Sequence, residues 1–174
     1  MSDSNDASIP VEFTSFRYPL PHLAAALRAH DPVRVVAIGS SSTAGREDVV
    51  AYPAWLEMYL RRRYDNPRID VINRGRGGEE ANEELLRFDA DVLAEKPALV
   101  IWQVGTNAVL RDHNLAGEAP LLREGIERIK QSGADLVLLD CQYAPKVLAK
   151  DGIHGMIDLL HSVATYERIG VFNR

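Results

Sequence analysis

Short aliphatic runs that alternate with amphipathic helical stretches predict an α/β domain: three layers, α/β/α, around a parallel sheet of about five strands. Two observations carry this. Val33–Ile38, Ile69–Asn73, Ala98–Val104 and Leu136–Asp140 are β-branched or aliphatic runs of the kind buried on both faces. Each is separated from the next by a segment with helical periodicity, so the strands must be joined by crossovers rather than hairpins. At 174 residues the chain is one domain's worth and long enough to bury a core without staples.

The elements follow in order. Residues 1–20, with Pro10, Pro19 and several short polar residues, read as an N-terminal arm, and residues 21–174 as the domain. Pro21–Ala29 is a short helix that stops before Pro32. In Pro53–Tyr64 the proline suits a first turn, and Trp55, Leu56, Tyr59 and Leu60 share one face. Glu79–Glu95 reads as one helix carrying Leu85, Leu86, Val92 and Leu93 and ending before Pro97. Glu118–Gln131 sets Leu122, Ile126 and Ile129 at helical spacing and meets Gly133 as a stop signal. Gly152–Arg168 repeats the pattern with Met156, Leu160 and Val163, followed by a brief Val171-Phe172 run.

Bulk composition narrows the function classes. A hydrophobic content of 46% with 26% charged residues describes an ordinary globular protein, and a net charge of -5 argues against a nucleic-acid surface. The one dense basic run, Arg61-Arg62-Arg63, ends a helix, where it complements the dipole. The lone Cys141 has no partner for an internal disulfide and reads as a small buried residue. Met1–Ala7 has no secretory pattern, and no apolar run approaches the roughly 20 residues that cross a bilayer. The expectation is a cytoplasmic chain with no membrane segment and no nucleic-acid partner.

Three loops carry the chemistry. Gly39-Ser40-Ser41-Ser42-Thr43-Ala44-Gly45, Asn73-Arg74-Gly75-Arg76-Gly77-Gly78 and Gly105-Thr106-Asn107 each follow a strand, so all three emerge at the carboxyl edge of the sheet, where open α/β sheets bind ligands. The first offers a hydroxyl nucleophile in a tight turn. The other two offer a glycine amide and an asparagine carboxamide, the donors that an oxyanion needs. A phosphate cradle is the rival reading, but the first loop lacks the lysine of a P-loop and the G-x-G-x-x-G spacing. A phosphoacceptor domain would require acidic residues where Ser40-Ser41-Ser42 stand.

The first loop resembles the G-D-S-x-T-x-G block of the SGNH (GDSL-type) hydrolases, with Ser41 at the nucleophile position. The second resembles the block whose glycine amide helps to form the oxyanion hole, Gly78 being the better positional match. The third resembles the block whose asparagine, here Asn107, is the remaining donor. The resemblance spans residues 33–140 in order, and implies a flavodoxin-like sheet and a serine esterase acting on a small acyl ester or an acetylated carbohydrate, with no metal or organic cofactor. Two positions depart from it. Ser40 replaces the aspartate before the nucleophile, and Ala108 the aspartate that commonly follows the asparagine, which puts substrate preference and activity in question.

The family's last block is D-x-x-H, a histidine base oriented by an aspartate. Asp151-Gly152-Ile153-His154 fits those letters and would complete the set. The layout around it points elsewhere. In the family the block follows a fifth strand, whereas here a patterned helix and then Gly170-Val171-Phe172 follow His154. Asp151 on that reading is an N-cap, the match is accidental, and the chain ends at Arg174 short of the base, leaving a non-catalytic fragment or binding module. His22, His30 and His113 lie away from any base position. His154, Asp158 and His161 share a helix face that reads as solvated rather than metal-binding.

Overall fold

The sheet is built as the alternation requires. The computed structural model describes residues 15–46 and 48–174; the first fourteen residues of the expected arm lie outside that range. Five strands run β1 (Val33–Gly39), β2 (Ile69–Gly75), β3 (Leu99–Gln103), β4 (Asp135–Leu139) and β5 (Gly170–Phe172). They form one sheet of order β2-β1-β3-β4-β5, every neighbouring pair parallel. This is the flavodoxin-like order, with its topological switch point between β1 and β3.

Helices cover both faces. Helix α1 (Pro21–Ala29) and helix α3 (Tyr52–Tyr64) lie on one, where Leu23, Leu27, Leu56 and Leu60 pack against Val33, Val35, Ile69 and Val137. The other face carries α4 (Ala81–Leu86), α5 (Phe88–Asp91), α7 (Glu118–Gln131) and α9 (Ile153–Glu167), around Val36, Ile38, Val100, Trp102 and Leu138. Short helices α2 (Ser41–Ala44), α6 (Thr106–Leu110) and α8 (Pro145–Leu148) lie in the loops. Helix α9 is the crossover from β4 to β5, as the pattern around residue 160 predicts. All five residues of β4 are buried, which accounts for a run without polar alternation.

Three expectations are corrected. The stretch 79–95 is not one helix, because the backbone leaves helical geometry at Arg87 (φ -112°, ψ 5°). There the buried Arg87 guanidinium bonds Glu79 and Asp91, Phe88 turns into the core, and Leu86 is left 89% exposed. In α3, Leu56 and Leu60 reach the core but Trp55 and Tyr59 do not; the buried stripe is narrower than the sequence suggests. Gly152, not Asp151, is the N-cap of α9, and no side chain caps that end.

Trp102 centres the larger core. Its ring meets Phe88 edge-on at 5.1 Å, and its Nε1 donates to the buried Glu84 carboxyl at 2.6 Å. Gly125 in α7 lets the helix lie on the indole, since a Cβ there would fall 2.5 Å from two ring carbons. Burial pushes Glu84 up to about 8, outweighing the lowering by Trp102 and Arg87. The folded chain therefore holds a proton that the unfolded chain releases above the ordinary value of 4.5. The stabilisation this gives is complete below that value, declines as pH rises, and is lost above about 8.

Two outcomes are expected. Gly125→Ala gains about 1 kcal/mol of helix propensity but overpacks the indole, so urea unfolding should show a net loss of about 1–2 kcal/mol. Glu84→Gln, which cannot ionise, should flatten the fall in unfolding free energy between pH 5 and pH 8.5 that the parent shows.

Candidate functional site

The three loops meet at the carboxyl edge because β1 lies between β2 and β3. The first begins where Ser40, 2% exposed, turns the chain out of β1 into the single turn of α2. The N–H groups of Thr43 and Ala44 close on the Ser40 carbonyl at 3.1 and 2.9 Å. Gly45, in left-handed geometry (φ 82°), ends the turn. The amide oxygen of Gln103, at the end of β3, lies beneath it. It accepts from Ser40 N at 2.9 Å, Ser40 Oγ at 3.0 Å, Ser42 Oγ at 3.0 Å and Thr43 Oγ1 at 3.3 Å. The Ser41 side chain is exposed and makes no hydrogen bond among the described residues.

The second loop abuts the first. Asn73 donates to the carbonyls of Thr43 and Ala44 at 2.9 and 3.3 Å and accepts from Gly75 N at 2.9 Å. Arg76 N–H reaches the Gly39 carbonyl at 2.8 Å. Gly75 has no room for a side chain, since a Cβ would fall 2.2 Å from Ala44 N. Gly77 passes beside the nucleophile position, its Cβ site 3.8 Å from Ser41 Cβ. Gly78 is left-handed (φ 87°). Arg74 and Arg76 turn away to Glu95 and Asp91, at 2.7 and 2.9 Å.

The third loop starts at the left-handed Gly105 (φ 94°), packed on Met156 and Cys141. Asn107 Nδ2 donates to the Glu79 carbonyl at 2.7 Å, which ties α6 to the Gly78 segment. A carboxamide nitrogen carries two N–H groups, so one remains for another acceptor. Arg111 strengthens the same junction, donating to the Gly78 carbonyl at 2.8 Å and pairing with Glu80, whose other oxygen meets His113 Nδ1 at 2.9 Å. The Ala108 methyl, where the resemblance expects an aspartate, is buried in the core.

Another contributor comes from beyond β5. Arg174 lies over Asp140 at the end of β4, its N–H 2.9 Å from the carboxylate, and its Nη1 donates to Ser42 Oγ at 3.2 Å. Burial raises the Asp140 pKa, and the bonds and charge of Arg174 pull against that rise. Burial also pushes the Tyr52 hydroxyl, behind Thr43, up to about 12 and the Cys141 thiol up to about 11, so neither ionises near neutrality.

Asp151 and His154 have no hydrogen bond or ion pair to this constellation among the described residues. Asp151 lies in the turn before α9 and His154 in its first turn; both are exposed, and neither side chain makes a hydrogen bond or ion pair among the described residues. The described residues contain no group of three or more His, Cys, Asp or Glu suited to a metal, and no helix long and apolar enough to cross a membrane. Gln103, Arg174 and Asp140 are the parts that sequence reading misses. Gln103 carried one signal: a lone amide closing an apolar strand just before a glycine loop.

The sequence and the fold both have counterparts among known proteins. The sequence profile of the non-GDSL lipase-like family matches residues 6–174. The uncharacterized lipoprotein YqeF of Bacillus subtilis (strain 168) is 32% identical over 117 residues, which are 62% of this chain and 47% of that protein. The chain thus spans about half the length of this curated relative. A protein from Desulfitobacterium hafniense DCB-2 assigned to the G-D-S-L lipolytic family superposes with a TM-score of 0.67 at 27% identity, over 81% of this chain and 77% of the other. Axe2, an acetylxylan esterase from Geobacillus stearothermophilus, gives 0.67 at 20% identity over 80% and 74%, a likeness of fold. The fold is that of the SGNH/GDSL-related hydrolases.

The Asn73 side chain should be costly to lose. Asn73→Ala removes the bonds to two loop carbonyls and the Gly75 N–H, which water can partly replace at this exposed position, and thermal and urea unfolding should register a loss of about 0.5–1.5 kcal/mol.

Proposed function

Because the chain belongs to the non-GDSL lipase-like family, we propose that it is a serine hydrolase that cleaves carboxylic esters through an acyl-enzyme. Ser41 Oγ attacks the ester carbonyl carbon as a base takes its proton, and the carbonyl π electrons move onto oxygen. The N–H groups of Ser41 and Gly78 and the free carboxamide N–H of Asn107 hold that oxyanion, each donor being worth about 3–4 kcal/mol of barrier. Collapse of the intermediate expels the alcohol, which takes the proton from the base. Water, deprotonated by the same base, then releases the acid and frees Ser41. Asp151 and His154 are the candidate orienter and base.

One observation supports this reading above the others. In the run Ser40–Thr43 only Ser41 has a hydroxyl uncommitted among the described residues, and the glycine loop runs alongside it, a Cβ on Gly77 falling 3.8 Å from Ser41 Cβ. The substrate class is a small acyl ester or an acetylated carbohydrate; likeness to acetylxylan esterases lends the sugar option analogy alone.

A second reading, a binding module of the same fold that takes no proton from Ser41, also has an observation in its favour. His154 opens the β4–β5 crossover helix, exposed and without a partner among the described residues, where an oriented base would be hydrogen-bonded to its carboxylate.

Hydrolysis of p-nitrophenyl acetate separates the two. On the hydrolase reading Ser41→Ala falls to the buffer rate, and Asn107→Ala loses about 10²–10³ in kcat. His154→Ala loses on the order of a million-fold if it is the base. Unchanged Ser41-dependent turnover in that variant removes His154 from the mechanism. Absence of Ser41-dependent turnover in the parent chain counts against the hydrolase reading and in favour of the binding module.

A further inference from the structure

We propose that Gln103 is a positioning residue that selects Ser41 as the nucleophile from three consecutive serines; this deepens the ester-hydrolase reading and rests on it. The chemistry begins with what three neighbouring hydroxyls would do unaided. Each could attack a carbonyl, and each could bond its neighbour or the backbone. The Gln103 oxygen removes two from competition. Ser40 Oγ and Ser42 Oγ both donate to it at 3.0 Å, and Thr43 Oγ1 approaches at 3.3 Å. Ser42 is engaged a second time, as acceptor from Arg174 Nη1 at 3.2 Å. Only the Ser41 hydroxyl is left to meet substrate and base.

The orientation of the amide is fixed by the backbone. Ser40 N–H can only donate, and it points at the same atom at 2.9 Å, so the oxygen of Gln103 must face the turn. Four donors on an oxygen with two lone pairs leave none of them a full bond of its own. They hold the turn as a set, and it cannot rotate without stranding several buried donors at once. Gly39 makes the approach possible, because a Cβ there would fall 2.8 Å from both Gln103 Cβ and the Gln103 carbonyl. The clamp is also neutral. Serine at position 40 and an amide at 103 put no formal charge beneath the point where negative charge develops during attack.

The test is covalent labelling of the full chain with a serine-directed fluorophosphonate, the adduct located by fragmentation of the peptide 35–46. The parent is expected to label at Ser41 alone. Gln103→Met, of similar volume but without an acceptor, should label at least tenfold more slowly and spread adducts to Ser42 or Ser40. Gln103→Glu, which keeps an acceptor in place, should restore exclusive labelling at Ser41. If Gln103→Met does not fold, Gln103→Asn, whose amide is one methylene short, carries the same expectation of lost exclusivity. A folded Met or Asn variant that labels Ser41 alone at the parental rate, whatever its melting temperature, overturns the positioning role and leaves the hydrolase reading standing. A parent chain that takes no label overturns both.

Discussion

The constraint on which this site depends is how closely adjacent parallel strands must end. β1 is bonded along its length to β2 on one side and to β3 on the other, so the three chains leave the sheet side by side. Their exits are in contact, and side chains are excluded at the crossing points. A Cβ on Gly75 would strike the Ala44 backbone, and one on Gly39 would strike Gln103. Glycine is therefore required for steric reasons before any catalytic argument is made. The same closeness lets Asn73 bridge one loop to the next and lets one amide oxygen gather a whole turn.

Two layers of polar contact follow from that arrangement. The inner layer is buried: the Gln103 oxygen takes donors from Ser40 and Thr43, with half-buried Ser42 at its margin. The outer layer is a half-exposed brace in which Glu80 joins Arg111 and His113 while Arg111 and Asn107 grip the carbonyls of Gly78 and Glu79. Rim pairs of this kind add little to stability individually. Their effect is to hold the second and third loops at a fixed separation.

Much of this was legible in the residues. Continuous aliphatic runs such as Leu136–Leu139 can be buried only in a central strand, and the glycine loops after the first three strands fixed the working edge. Helix stripes were harder to read. Trp55 and Tyr59 have the right spacing but lie on the solvent side of Leu56 and Leu60, and the turn at Arg87 is made by long-range ion pairs that no local propensity encodes. The inner layer was hidden for the same reason. Gln103 lies 60 or more residues from the turn it holds, and Arg174 lies 132 from Ser42. Asp151-x-x-His154 is a local pattern whose letters match, and neither side chain makes a hydrogen bond or ion pair among the described residues.

The N-terminal segment has a consequence for how this molecule assembles. Tyr18 donates to the Thr165 carbonyl 147 positions away, and the Leu23 amide bonds Asp135 across 112. Phe16 lies against Gly170 of the three-residue edge strand β5. Helix α1 thus docks in part on β1 and β2, close to it in sequence, and in part on β4, so its seat is complete only once the last third of the domain is in place. Contacts of such long sequence separation carry a larger loop-closure cost than those α1 makes with β1. Until then part of the apolar side of Leu23 and Leu27 stays open, at the amino ends of the strands rather than at the edge where the three loops emerge.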